Sequence, residues 1–359
     1  MNIEIAALDT LFFRDAKPFE RGSENWATGV FPPMPSVFYG ALRSAFLGQN
    51  SQNKIESNII ASESLVINSL LLKNFSREGD EDEIILPIPL DLISFKDSDE
   101  SKLLDYCKND FVSSKGKRFD GFLRSYESEK TEELAGKAFL KKLDFLEYLK
   151  GNQDTFNSIK IQENTTLEPK IGIGRDNNTN VADTGLLYRV GMVRPVKEDN
   201  VYNFLREFKF VIDFEFKENI NILAKGLLKL GGENKVASYA TTTKDNIFNC
   251  PEITSNYFKV YLSTPAIFEN GWYPKIFENK ILTCAVGKPQ MIGGFDINKK
   301  MPKVMQKAVP AGSVYYIKVE TNKEAKELIQ KLHGNSISEY KKEEGFGICY
   351  VAKISQTIN

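Results

Sequence analysis

The chain has 359 residues, 42% hydrophobic and 26% charged, the balance of a globular protein able to bury a core without disulfide or metal staples. Lys and Arg number 47 and Asp and Glu 48, so the net charge of −1 excludes a polycation while leaving room for a local basic groove. A single histidine, His333, excludes chemistry that needs several, and Cys107, Cys250, Cys284 and Cys349 are too far apart for a CxxC metal half-site.

Such scattered cysteines fit a reducing, cytoplasmic setting. No basic-then-apolar leader opens the sequence. The greasiest run, Ile84 to Ile93, is broken by Pro87, Pro89 and Asp91, far short of a membrane span. No cofactor, metal or membrane partner is expected.

At roughly 150 residues per domain the length predicts two domains. Ile3, Ile5 and Ala7 alternate as a first strand. A loop rich in Arg, Gly and Pro runs from Leu11 to Pro35. Ser36 then reads as the N-cap of a helix whose Phe38, Leu42, Ala45 and Phe46 share a face, with Gly48 as its stop. Leu65 to Lys73 and Ile84 to Leu90 read as strands around an acidic turn. From about Lys96 to Lys160 the chain is rich in Lys, Glu, Ser and Asp, with helical spacing at Leu134, Phe139, Leu143 and Leu146. That stretch reads as an insertion, part helix and part loop, decorating the surface. Leu186 to Val193 is strand-like.

Beyond Val201 the order is more regular. Phe208 to Phe216 alternates as a strand, and Ile220 to Leu230 has the spacing of a helix ended by Gly231-Gly232. Val236 to Ala240 and Tyr257 to Leu262 are strands. Ile281 to Val286 pairs with Ser313 to Val319 around a long loop, Lys323 to Leu332 is a helix closed by Gly334, and Gly347 to Ile354 is the last strand. This pattern predicts an α+β fold of two tandem ferredoxin-like (RRM-like, βαββαβ) domains with insertions. The first spans 1–200 with the insertion at about 96–160; the second spans 201–359 with a glycine-rich hairpin loop at about 287–312.

Familiar catalytic signatures are missing. Gly172-Ile173-Gly174 lacks the third glycine of a dinucleotide fingerprint and reads as a turn, and Gly287-Lys288-Pro289 has no Ser or Thr after the lysine, so it is no P-loop. No GxSxG elbow occurs. His333, near a helix C-terminus, reads as a solvated or dipole-facing residue rather than a general base. No catalytic residue is assigned.

Three segments do gather cations with glycines or aromatics: Phe12 to Arg21, Lys170 to Lys197, and Gly287 to Lys307. Cations give affinity for phosphates, bare glycine backbone forms anion nests, and aromatics stack on unpaired bases. Phe13, Tyr188 and Phe295 could stack, although Phe12-Phe13 and Tyr188 also suit a core. Polar Asn177, Asn178, Thr179 and Gln290 suit base edges or a 2′-hydroxyl.

Eight stretches in fixed order resemble one family. They are Asp9 to Phe19, Phe31 to Arg43, Ile171 to Asp176 with Thr179, Gly185 to Arg189, Leu230 to Glu233, Ile292 to Asp296, Ala308 to Tyr315, and Gly345 to Gly347. The sequence resembles the third-subunit family of the Cmr complex, the type III-B CRISPR effector, within the RAMP superfamily. The resemblance implies a non-catalytic subunit that holds the 5′ repeat-derived tag of the CRISPR RNA and contacts the large polymerase-like subunit and a backbone RAMP subunit. The 96–160 segment has no counterpart in it. The RNA-binding candidates are Arg14, Lys17, Arg21 and Arg43; Lys170, Arg175, Asn178, Thr179, Tyr188, Arg189 and Arg194; and Lys288, Gln290, Met291, Gly293, Gly294, Lys299 and Lys300. Two other readings stay open: a metal-independent CRISPR RNA-processing endoribonuclease of the same superfamily, and a purely architectural adaptor.

Overall fold

The alternation of Ile3 and Ile5 with polar neighbours makes β1 (Asn2–Ala7), whose two isoleucines are fully buried. Pro35 then opens α1 (Pro35–Gln49): its missing N–H suits the first turn, and Met34, not Ser36, is the N-cap. Gly48 lies inside the helix. β2 (Leu65–Ser76) follows. This computed structural model describes residues 1–14, 26–27, 29–50, 63–76, 82–95, 98–112, 118–125, 131–132, 137–161, 164–176, 178–199, 204–216, 221–243, 248–296 and 301–355. None of the described helices is long and apolar enough to cross a membrane.

The first sheet is completed by chain from beyond the expected division at 200/201. β3 (Phe204–Phe216) pairs antiparallel with both β1 and β2, and β4 (Val236–Thr241) pairs with the other edge of β1. The order is β4-β1-β3-β2. Periodicity finds a strand but not its partner, so the Phe208–Phe216 alternation looked like the start of a new unit. Its even positions bury Phe208, Phe210, Ile212, Phe214 and Phe216 beneath α1, where Phe38 meets Phe210 edge-on at 4.8 Å and Phe46 stacks on Phe216 at 4.6 Å.

The predicted helix over 220–230 is instead, over its described residues 221–230, irregular chain followed by a strand, Lys225–Lys229, paired with β4. Leu223, Leu227 and Leu230 are spaced as a helix face, yet Leu223 and Leu227 are exposed (64% and 61%) while Leu228 and Leu230 are buried.

The 96–160 stretch is also corrected. Among its described residues it is largely strand, with one short helix, α2 (Lys142–Lys150). Ala138–Lys141 and Thr155–Lys160 extend the first sheet beyond β2 and Glu83–Pro87. Phe139, Leu140, Phe145, Tyr148 and Phe156 are core residues, so this is structural sheet and not decoration.

The second sheet contains β5 (Tyr257–Leu262), β6 (Ile281–Ala285), β7 (Val314–Lys318) and β8 (Cys349–Ala352), all antiparallel, in the order β6-β7-β5-β8. A single 3-10 turn, Lys275–Phe277, lies between β5 and β6, and α3 (Asn322–Leu332) lies between β7 and β8. Thr321 caps α3 by accepting the Glu324 N–H. Alternation in β5 splits the faces: Phe258, Val260 and Leu262 pack with the α3 core, while Tyr261 faces the first sheet's extension and α2. The layers are therefore α1, first sheet, second sheet, α3.

His333, expected to be solvated, is half-buried at the end of α3. One ring nitrogen lies 2.7 Å from the Phe248 carbonyl, and the other accepts the Val351 N–H at 3.1 Å. Burial lowers its pKa.

Candidate functional site

A three-stranded arm, Thr166–Arg175 paired antiparallel with Ala182–Arg194 and Trp26–Ala27 paired parallel with the latter, stands beside the first sheet. Gly172-Ile173-Gly174 lies within its strand, not in a turn. On one face Val190 and Met192 are buried with Phe12, and Tyr188 lies across Gly172, where any Cβ would collide with the ring. On the other face Leu167, Ile171 and Ile173 are exposed, with Arg189 opposite Ile171.

The N-terminal loop ties this arm to the sheet. Leu11 and Val193 exchange backbone hydrogen bonds at 2.7 and 2.8 Å, and the Gly232 N–H donates to the Phe12 carbonyl at 2.8 Å. Gly231 has φ of 84°, and a Cβ there would strike that carbonyl, so the Gly231-Gly232 turn is required by this close approach. Phe12 and Phe13 are both buried, which corrects the expectation that Phe13 could stack on a base. Arg14 is exposed where its backbone bridges Gly29.

The base of the arm carries an ionic cluster. Lys235 donates to Asp9 at 2.8 Å, Arg194 reaches Asp9 at 3.4 Å and also pairs with Glu168, and Lys170 lies 3.8 Å from Asp9 and donates to Thr10 at 3.2 Å. The Lys235 hydrogen bond, with the Thr10 backbone N–H, brings Asp9 down to about 2. The nearby Lys235 ammonium pushes Lys170 down. Among the described residues, three cations thus share two carboxylates. Lys235 and Asp9 were not singled out in the sequence as charged candidates, although the Leu230–Glu233 stretch ends two residues before Lys235.

At the arm's tip Asp176 accepts the backbone N–H of Asn178 at 2.9 Å and of Thr179 at 2.7 Å, and the Thr179 hydroxyl at 2.9 Å. The Thr179 hydroxyl thus serves the turn, while Arg175 is exposed beside it. Arg43 is elsewhere, on α1, 5.9 Å over the Tyr39 ring and 3.8 Å from Glu63.

The third segment forms a short hairpin, Gln290–Ile292 with Gln306–Ala308, extended by Phe295–Asp296 with Met301–Pro302. Lys288, Met291, Gly294, Lys303 and Lys307 are exposed and Gly293 is half-buried. Gln290 is corrected: its Oε1 is buried without a partner among the described residues, and the residue lines a small cavity with Pro32 to Pro35. Lys17, Arg21, Asn177, Lys299 and Lys300 lie outside the described residues, as does the Phe295 side chain.

The two regions are joined by one short run of chain. Gly29 packs against Gly191 of the arm, while Met34 packs on Ile267, Ile292, Ala308 and Phe346 at the base of the lysine hairpin. Extended chain from Gly29 to Met34 spans at most about 18 Å. The bases of the arm and of the lysine hairpin are therefore neighbours.

A family model described as "CRISPR-associated protein (Cas_Cmr3)" matches residues 3–354. No curated protein matches the sequence. Among solved structures, a chain of the type III-B Cmr-beta complex bound to cognate target RNA is similar, with 15% identity, TM-score 0.50, and 92% of this chain and 89% of that chain covered. A chain of the same kind of complex with target RNA and AMPPnP has 16% identity and TM-score 0.51, with 99% and 100% covered.

Proposed function

Since the chain belongs to the Cas_Cmr3 family of CRISPR-associated proteins, we propose that it is a non-catalytic RNA-binding subunit of a type III-B effector in the cytoplasm. In this reading its two sheets are two ferredoxin-like halves, each keeping one crossover helix. The subunit holds the 5′ repeat-derived tag of the CRISPR RNA and docks the large polymerase-like subunit and a backbone RAMP subunit. It needs no cofactor of its own.

The observation that carries this reading is the meeting of remote basic segments. The N-terminal loop, the arm and the Gly231-Gly232 turn share one ionic cluster, and the short run from Gly29 to Met34 leads from the arm to the base of the lysine hairpin. Clustered cations are what a phosphate backbone binds. The sole histidine has both ring nitrogens occupied by backbone, which disfavours the endoribonuclease reading with histidine as base.

The test is polarisation of labelled RNA with the full chain. Tagged guide RNA should bind more tightly than untagged RNA. Replacing exposed Arg175, Arg189 and Lys288 together by Ala should lower the salt slope by about 2, at roughly 0.7 for each single-strand phosphate no longer neutralised. Equal affinity for both RNAs with an unchanged slope would favour an architectural adaptor.

A further inference from the structure

Beside the lysine hairpin lies a half-open slot of about 430 Å³. Its walls are Trp272, Val286, Pro289 and Val309, and Lys307 lines it from the return strand of the hairpin. We infer that this slot receives one nucleobase of an RNA strand bound to the protein. The inference rests on the RNA-binding reading and adds a site to it.

Three features define the ligand. First, the lining is mostly apolar, with glycines 271 and 287 leaving backbone bare. Second, none of the described residues that line it is acidic. The Cys284 thiol lines the slot, and burial pushes it up to about 12, so it stays neutral. Third, the cations at the slot are exposed: Lys307, which lines it, and Lys288 between lining residues Gly287 and Pro289. A neutral ring inside and an anion outside describe a nucleotide. An aliphatic protein side chain would leave the rim lysines without a purpose.

The indole is held ready for stacking. The Tyr315 hydroxyl donates to the Trp272 carbonyl at 2.6 Å. The ring itself packs against Phe119 at 5.9 Å and edge-on to Tyr273 at 5.6 Å. The volume is at the low end for small-ligand sites, enough for one nucleotide and not for a stack of them. The lining offers few side-chain donors or acceptors, so selection is by ring area, with purines preferred over pyrimidines.

Trp26 and Trp272 are the only tryptophans in the chain, so Trp26→Phe makes Trp272 the sole emitter. The full chain is titrated with labelled oligo(A), labelled oligo(U) and adenosine monophosphate, reading Trp272 emission and RNA polarisation in the same samples. Saturable quenching that tracks polarisation, stronger for oligo(A) than oligo(U), is the expected result. Trp272→Leu should then weaken oligo(A) binding by about 5- to 150-fold. Lys307→Glu, at the exposed rim, should weaken it without changing the melting temperature.

Polarisation that rises with Trp272 emission unchanged overturns the slot and leaves RNA binding standing. No response to RNA in either readout overturns both. Quenching by the mononucleotide but by neither RNA assigns the slot to a free nucleotide and overturns the inference.

Discussion

Two carboxylates in this molecule are each surrounded by cationic or hydroxyl donors, and their settings differ completely. Asp91 is 0% exposed. It accepts Tyr148 at 2.9 Å, Tyr316 at 2.9 Å and Lys259 at 3.1 Å, and Lys259 is itself 2% exposed and 4.2 Å over the Tyr148 ring. Burial raises both tyrosines well above their usual range, so their hydroxyls stay protonated as donors. Asp9 is half-exposed and shared by Lys170, Arg194 and Lys235. The first cluster balances its charge and closes on itself. The second, among the described residues, shares two carboxylates among three cations and faces solvent. A closed cluster fixes geometry, whereas an open one retains charge for a partner. Asp91 joins chain following Glu83–Pro87 to α2 and to both β5 and β7 of the second sheet. It therefore holds in register the two layers that carry the arm and the lysine hairpin.

The largest expected effect breaks the closed cluster. Asp91→Ala leaves Lys259 buried and unpaired and should cost about 3–5 kcal/mol of unfolding free energy in a denaturant titration. The double change Asp91→Leu with Lys259→Met should recover most of that deficit, because two well-packed apolar residues need no desolvated charge. If the double variant is no more stable than Asp91→Ala, the cost comes from poorer packing, and the contrast between a closed and an open cluster fails.

The same contrast explains what was legible in the sequence. β1, α1, β2, β3 and α3 were readable because each alternates or repeats with its own period around one core face. Leu223–Leu230 was misread because three leucines at helical spacing also fit an edge strand with alternate residues exposed. The division at 200/201 was misplaced because β3 pairs with β1 from some 200 residues away, and no local pattern encodes a partner. The arm was visible as basic residues with glycines, but not its charge balance. Asp9, Glu168, Arg194 and Lys235 become one cluster only through the Leu11–Val193 bridge and the Gly231-Gly232 turn. The Asp91 cluster had no signature at all, since an aspartate, a lysine and two tyrosines spread over 225 residues are adjacent only after folding.

Sharpening the comparison from the open side calls for Asp9→Asn. The substitution removes one of the two described carboxylates from three cations and so raises the local positive charge by one. The exposed pairs it breaks contribute little, so stability should change by less than about 1 kcal/mol. If RNA uses these cations, affinity should rise and the salt slope should steepen by up to about 0.7, one further phosphate neutralised. Unchanged binding would mean that Lys170, Lys235 and Arg194 serve only to fasten the arm to the sheet.

The smallest effect separates a third buried polar group from both clusters. His333 is held neutral by burial, with the Phe248 carbonyl on one nitrogen and the Val351 N–H on the other. Burial disfavours the charged imidazolium, so the folded pKa lies below the ordinary value of about 6.5. Between those two values the unfolded chain binds a proton that the folded chain does not. Stability is therefore full above about pH 6.5 and falls as the pH drops from there towards the folded pKa. No other histidine exists to blur the window. Denaturant midpoints measured from pH 7.5 to 5 should show this decline, and His333→Gln should flatten it while lowering the midpoint throughout. A profile that keeps its slope in the variant would assign the decline to carboxylates held low by cations in the folded state, Asp9 and Glu168 among them.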